Sequence, residues 1–163
     1  MLQGLLSEGV PINDLSRIYE ALALRAKAST DPDGLIEAAR AALGPVIVTR
    51  YLKDSTLRVI MIEPLLEQSM LEGARPSEQG PQIILDTEKL HAIMTSLAQA
   101  RAAAESGGDP VVIACAPALR SAVRRLLAPN PGDLPVLSYL EVTSAHPTIE
   151  TVGVVRALDQ IPV

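Results

Sequence analysis

Strand and helix signals alternate along this chain from residue 57 onward, and this alternation restricts the fold more than any other feature. Leu57–Ile62 has one polar residue among apolar ones, and Val111–Cys115 is wholly apolar. Short apolar runs of this kind, bounded by turn residues, are typical of buried strands. The segments predicted as strands are 57–62, 82–85, 111–115, 134–138 and 151–156. The strand at 134–138 follows a turn signal, Asn130–Asp133.

Helix signals fill most of the intervals between these strands. Asp31 is a predicted N-cap with Pro32 at the first helical position, and Asp86 is a second predicted cap. The predicted helices are 11–27, 31–43, 64–71, 86–105 and 117–128, while Gly73–Pro81 is a predicted exposed loop. Gly44-Pro45 predicts a kink or a break, because Pro inside a helix costs about 3 kcal/mol.

The order of these elements predicts an α/β fold, α+β overall, with a small and partly parallel sheet. The first fifty residues are helical, so we expect a helical subdomain at residues 1–54 and an α/β subdomain at 55–163. Apolar residues at helical spacing predict the buried stripe of the first helix: Leu15, Ile18, Tyr19, Leu22 and Ala26. The same spacing predicts the buried stripe of the second helix, which consists of Leu35, Ile36, Ala39, Ala42 and Leu43.

Composition excludes several classes of protein. The net charge of −5, with three tyrosines and neither Phe nor Trp, argues against nucleic-acid binding, which depends on clustered cations and stacking platforms. A single Cys and two widely separated His residues predict neither a disulfide nor a zinc site, and suit a reducing cytosol. The absence of an apolar run of about eighteen residues predicts a soluble chain.

Candidate catalytic residues are few. Cys115 ends a predicted strand before a helix, but an unpaired Cys is more often a buried apolar residue than a nucleophile. Its spacing to Arg120 is one residue short of the phosphate loop of cysteine phosphatases. Glu63 ends another strand, where a capping or solvated role is favoured, and Gly107-Gly108 is favoured as a helix end. We therefore predict no enzyme and no cofactor.

Two surfaces are candidates for protein contacts. Leu24 lies about 180° around its helix from Leu15, so it cannot share the buried stripe. The predicted interaction surface on that helix is Asn13, Arg17, Glu20 and Leu24. A basic edge is predicted on a later helix, formed by Arg120, Arg124 and Arg125. An ordinary exposed leucine and a solvated basic edge remain the alternatives.

Five blocks of sequence resemble the FlhA family of flagellar and type III secretion export-gate proteins, in the same order and at similar spacing. Leu134–Glu141, for example, is similar to the family pattern LxVLSYxEI. The blocks are Leu2–Leu6 with Glu8–Leu15, Asp31–Asp33 with Ala41–Gly44, Leu57–Glu67, Pro110–Arg120 and Leu134–Glu141. The resemblance covers roughly residues 2 to 156. Because Met1 stands within the family's continuous chain, we expect a fragment.

The resemblance implies a role in protein export. It implies that the complete protein lies in the bacterial inner membrane, with a cytosolic region that forms a nonameric ring and receives export chaperones and secreted substrates. This chain matches the last two of four cytosolic subdomains, so docking would occur mainly through absent upstream subdomains, while this part would contribute ring contacts. The alternative is a small α/β enzyme or ligand-binding domain whose likeness to the family is architectural only. A thermal-shift screen with nucleotides and common metabolites would distinguish the two, because a bound ligand raises the stability of the protein.

Overall fold

The fold was established from a computed structural model. It describes residues 2–7, 9–28, 31–77, 82–105, 108–127 and 134–157. The predicted turn at 130–133 lies outside these residues, as do residues 78–81 of the predicted loop and residue 128 of the last predicted helix.

Eight helices and six strands occur among the described residues. The helices are α1 (Leu2–Ser7), α2 (Leu15–Ala26), α3 (Pro32–Ala42), α4 (Gly44–Thr49), α5 (Pro64–Gly73), α6 (Thr87–Glu105), α7 (Arg120–Leu127) and α8 (Tyr139–Ser144). The strands are β1 (Thr56–Ile62), β2 (Ala74–Arg75), β3 (Gln82–Ile83), β4 (Val111–Cys115), β5 (Val136–Ser138) and β6 (Thr148–Val155). The predicted α/β class is confirmed.

The main sheet has four strands in the order β5-β4-β1-β6, and every neighbouring pair is parallel. A separate two-stranded antiparallel sheet joins β2 to β3. Parallel neighbours need crossover connections, and α5, α6 and α7 supply them between β1, β4 and β5. The carboxyl ends of β1, β4 and β5 therefore share one edge of the sheet, where α5, α7 and α8 begin.

Local capping explains where several helices begin. The Asp31 carboxylate accepts a hydrogen bond from the Gly34 N–H at 3.0 Å, and Pro32 occupies the first turn. The Asp86 carboxylate accepts from the Lys89 N–H at 2.7 Å. Each bond satisfies a backbone donor that has no partner within its helix. Both predicted caps are confirmed.

Helix α8 was not among the predicted elements. Ser138 accepts a hydrogen bond from the Glu141 N–H at 3.3 Å, and the Glu141 carboxylate accepts from the Ser138 N–H at 2.8 Å. This reciprocal capping box starts a helix immediately after β5. The Ser-x-x-Glu spacing in the sequence was the signal that could have revealed it.

The predicted interruption at Gly44-Pro45 is confirmed, since α3 ends at Ala42 and α4 begins at Gly44. Gly44 is also required for close packing. A Cβ atom added there would lie 2.5 Å from Ser144 Oγ and 2.9 Å from Ser144 Cβ. The absence of a side chain thus allows α4 to approach α8.

Apolar residues fill both faces of the main sheet. One core contains α5, α6 and α7 residues with Ile60, Ile62 and Ile113 of the strands. The other joins the N-terminal helices to the opposite face, where Leu57, Val59 and Val112 are fully buried. The N-terminal helices therefore share a core with the sheet, and a subdomain boundary at residue 54 stays a prediction.

The predicted buried stripe of the first helix is wrong in part. Ile18 is fully buried, but Leu15 and Tyr19 are 41% and 54% exposed, and Ala26 is exposed. The helix also begins at Leu15 rather than Pro11. Because α2 packs mainly against α3, its buried strip is narrower than the apolar spacing indicates. In α3, by contrast, Ala39 and Leu43 are buried and the other three predicted residues are half-buried.

Candidate protein-interaction surface

The outer face of α2 presents all four residues predicted for that surface. Arg17, Glu20 and Leu24 follow one another at helical spacing on this face, and Asn13 precedes the helix. All four are exposed, and the Leu24 side chain is 70% exposed. Arg17 also forms an ion pair with Asp14, at 3.5 Å between Nε and Oδ2. We call Asn13, Arg17, Glu20 and Leu24 the α2 surface.

Two apolar residues add to the exposed part of α2. Leu15 and Tyr19 were predicted to be buried, and their exposure leaves three large apolar side chains of one twelve-residue helix in contact with solvent. Single exposed leucines are ordinary. Leu15 and Tyr19 lie on the side of α2 opposite Leu24, so the three side chains do not form one contiguous apolar patch.

The predicted basic edge on α7 is wrong for Arg120. This side chain is 1% exposed, and its guanidinium donates to Glu37 Oε1 at 2.7 Å from Nε. A buried cation requires a partner because removing its hydration is costly. Glu37 lies on α3, so Arg120 joins α7 to the N-terminal helices instead of facing solvent.

The other two arginines of this edge are half-buried and also contact the N-terminal helices. Arg124 donates to the Ser7 carbonyl oxygen at 3.2 Å, and Arg125 donates to Asp33 Oδ1 at 3.0 Å. The helical spacing correctly separated these arginines from the apolar face of α7. It could not reveal that α1 and α3 lie against their side of the helix.

A line of charged residues on α3, which the sequence analysis did not identify, contacts the α/β part. Asp33, Glu37 and Arg40 lie at helical spacing on one face, and we call them the α3 charged face. Arg40 Nε donates to Glu141 Oε1 at 2.6 Å, and both side chains are almost fully buried. Together with the two pairs to α7, this contact attaches α3 to the carboxyl end of the sheet.

Burial changes the acidity of three groups near this edge. Loss of solvation raises the pKa of Glu37, although the hydrogen bond from Arg120 opposes the change. Burial, with a smaller contribution from Glu67, raises the pKa of the Cys115 thiol to about 12. Burial also raises the pKa of Tyr139, whose hydroxyl donates to Glu67 Oε2 at 2.7 Å.

A thiol with this pKa is protonated at neutral pH and is a poor nucleophile. The favoured interpretation of Cys115 as a buried apolar residue is confirmed. Glu63 is confirmed as a cap, since its carboxylate accepts from the Leu66 N–H at 3.1 Å. Gly108 has a φ of 72° and donates its N–H to the Glu105 carbonyl, as a helix end does; Gly107 lies outside the described residues.

A cavity of about 370 Å³ lies where α3 meets the beginnings of α7 and α8. Its polar lining consists of Arg25, Asp31, Asp33, Glu37, Ser121 and Ser138. Asp33 and Glu37 already bind arginines of α7, and Asp31 caps α3. Within the described ranges, no cluster of three His, Cys, Asp or Glu side chains is arranged to hold a metal ion.

Within the part of the chain that the structure describes, no helix combines the length and the apolar character needed to cross a membrane.

Comparison with known proteins identifies the family of this chain. The family model described as "FHIPEP family" matches residues 1–147. The flagellar biosynthesis protein FlhA of Bacillus subtilis (strain 168) is 32% identical over 156 residues, which cover 95% of this chain and 23% of that protein. The chain therefore spans about a quarter of the length of this relative.

Solved structures have the same fold. The nonameric EPEC SctV-C structure aligns with a TM-score of 0.82 and 28% identity, over 94% of this chain and 46% of that chain. The nonameric EscV cytosolic domain from the type III secretion system aligns with a TM-score of 0.77 and 29% identity, over 95% and 46%. None of these names describes an enzyme. Because the family model matches most of the length of the chain, the chain belongs to the FHIPEP family, as its resemblance to FlhA proteins predicted.

Proposed function

We propose that this chain is a C-terminal part of the cytosolic region of a flagellar or type III secretion export gate, where it contributes contacts between neighbouring copies in a ring. The observation that carries the proposal is the match to nonameric assemblies over 94% of the chain at a TM-score of 0.82. The complete protein would be anchored in the bacterial inner membrane, with this part at its cytoplasmic face.

The α2 surface is the part of the molecule that we assign to the ring contact. Its one apolar side chain, Leu24, is 70% exposed, and Arg17 and Glu20 provide charges of both signs beside it. A ring built from one kind of subunit needs a contact between two different patches, repeated around the axis. The α2 surface would be one of these patches, with Leu24 as its apolar residue.

A chimaera tests this assignment. In it, the present chain replaces the matching segment of Bacillus subtilis FlhA, and mass photometry measures assembly of the cytosolic region. The double variant Leu24→Asp with Arg17→Asp should abolish the nonamer, because it introduces two carboxylates and removes a cation at the contact. Assembly of this variant at the parent's concentration would refute the ring contact.

A matched double variant controls for the added negative charge. Leu65→Asp with Arg75→Asp makes the same chemical changes at exposed positions on α5 and β2. This control should assemble normally. If both double variants lose the ring, the effect arises from total charge, and the assignment to α2 fails.

The docking of export chaperones with their substrates is the second part of the proposal. We assign it mainly to cytosolic subdomains upstream of this chain, with movement of residues 55–163 relative to those upstream subdomains opening or closing that docking surface. Calorimetric titration of a flagellar chaperone bound to its substrate should detect binding to the longer cytosolic region and none to this chain. Tight binding by this chain alone would contradict the assignment.

A further inference from the structure

Strand β6 is an exposed edge of the main sheet. Among the residues that the structure describes, it pairs only with β1, and the residues of its first half, Thr148–Thr151, are all exposed. The opposite edge strand, β5, differs because each of its three residues is buried. An unpaired strand edge presents free backbone donors and acceptors that can accept another strand.

The direction of the backbone groups identifies which amides are free. The Thr148 N–H donates to the Ser55 carbonyl at 3.0 Å and so points toward β1. Because alternate residues of a strand direct their backbone groups to opposite sides, Ile149 and Thr151 direct theirs away from the sheet. Pairing with β1 stays in register from Thr148 to Thr151 and shifts immediately afterwards. Pro147 precedes this segment, so the regular free edge is four residues long.

The face beside this edge is apolar and only partly covered. Ile149 pairs with Leu57 and lies on the same face of the sheet, where the N-terminal helices bury Leu57 completely. These helices do not extend over Ile149, which is 44% exposed. Helix α6 covers the other face farther along the strand, where Ala100 lies 2.9 Å from the position of a Cβ added to Gly153. Side chains of an added strand would therefore contact Ile149.

We propose that Thr148–Thr151 is a docking edge that takes an extended segment of a partner protein as a fifth strand, by β-augmentation. The segment would place an apolar side chain beside Ile149 and a Lys or Arg beside Glu150. Glu150 is the single charged residue of β6, is exposed, and lies 4.0 Å from Arg58 Nε. Opposite charges across a strand pair are favourable. A second copy of this chain fits less well, because it would bring a second Glu150 carboxylate to the same short edge.

A peptide experiment on the 163-residue chain tests this proposal. The probe is a hexapeptide of alternating valine and lysine, acetylated and amidated at its ends. NMR hydrogen exchange should show the Ile149 and Thr151 amides slowed at least tenfold by the peptide. The same peptide with N-methylated alternate residues should not bind, because it cannot complete the strand hydrogen bonds.

Variants separate strand addition from charge attraction. Thr151→Pro removes an outward N–H and should abolish binding, and an unchanged melting temperature would show that the fold is intact. Glu150→Lys should weaken binding about tenfold. Glu88→Lys makes the same charge change at an exposed position on α6 and should have little effect.

Four results would overturn the proposal. The first is no binding at millimolar peptide. The second is equal binding of the N-methylated peptide, and the third is equal weakening by Glu88→Lys and Glu150→Lys. The fourth is a dimer in sedimentation with the Ile149 and Thr151 amides already protected, which would assign the edge to a second copy of this chain.

Discussion

The two edges of the main sheet differ in almost every respect. At the β5 edge, all three strand residues are buried, α7 and α8 contact the strand, and the α3 charged face is bonded to both helices. At the β6 edge, four consecutive residues are exposed on both faces. One edge is closed by secondary structure and ion pairs, whereas no element in the described ranges pairs with the outer backbone groups of the other.

This difference shows how the chain uses its charged residues. At the closed edge, Arg40, Arg120 and Glu141 are buried with partners on other elements, so each contributes to the position of α3. At the open edge, Glu150 is exposed, and its contact with Arg58 is long. Buried pairs are costly to break, whereas exposed pairs contribute little. The closed edge should therefore be sensitive to substitution and the open edge tolerant.

The largest effect is expected from Arg40→Met. This change leaves the Glu141 carboxylate buried without its cation, and we expect a loss of about 3–5 kcal/mol in the free energy of unfolding. Urea denaturation would measure it.

A second variant shows whether the loss arises from the unpaired charge. Arg40→Met combined with Glu141→Gln should recover part of the stability, since the neutral amide can still cap α8. Lys53→Met removes the exposed ion pair with Asp109 and serves as the reference. If Arg40→Met costs no more than this reference, the contrast between buried and exposed pairs is wrong.

The next largest effect is expected on the rate at which the Cys115 thiol is alkylated. Cys115 ends β4 beside the closed edge and pairs in register with Ser138. Because burial raises its pKa from 9.0 to about 12, the thiolate fraction near neutral pH is about 10³-fold lower than that of a free thiol. Alkylation of the folded protein by iodoacetamide should be slower by at least this factor, and should rise with pH up to about 12.

Denatured protein is the control for this rate, because its thiol should react as a free cysteine does. Fast alkylation of the folded chain at pH 7 would mean that the closed edge opens readily.

A smaller effect is expected from Gly44→Ala. The added methyl group would clash with Ser144 Oγ at 2.5 Å, so α4 and α8 must separate. Overpacking of this kind costs about 1–3 kcal/mol. Thermal unfolding would measure the loss, and adding Ser144→Gly should restore stability by removing the atoms that clash.

Gly73→Ala is the matched control, since the nearest atom to its added Cβ would be the Ile84 carbonyl oxygen at 3.6 Å. Equal effects at both glycines would show that helix propensity, rather than close packing of α4 on α8, determines the result.

The smallest change in the free energy of unfolding is expected at the β6 edge, and a matched substitution at the β5 edge provides the comparison. Ile149→Thr on β6 should change the free energy of unfolding by less than about 0.5 kcal/mol, as exposed positions usually do. Val136→Thr on β5 should cost about 1–3 kcal/mol, because it buries a hydroxyl group. Chemical denaturation of both variants would measure the difference, and equal costs would remove the distinction between the edges.

Local signals accounted for much of the fold. The caps at Asp31 and Asp86, the break at Gly44-Pro45 and the strands β1 and β4 depend on residues close together in sequence. Helix α8 had an equally local signal in Ser138 and Glu141, which was overlooked. Of the predicted interaction surface, the α2 residues are exposed as expected, and their role in ring assembly stays a prediction.

Nonlocal contacts explain the errors. The spacing of α7 described its apolar face correctly, but the burial of Arg120 depends on Glu37, 83 residues away. The exposure of Leu15 and Tyr19 likewise depends on how little of α2 the neighbouring helices cover.

The sequence by itself therefore determined the family, the α/β class, the strands β1 and β4 and the boundaries of α3 and α6, because periodicity, caps and ordered blocks act over a few residues. Only the tertiary structure decided which charges are buried and which strand edge is free. The physical reason is that desolvation and strand pairing depend on distant elements meeting in space: Arg40 finds Glu141 across 101 residues, whereas no described element pairs with the outer side of β6.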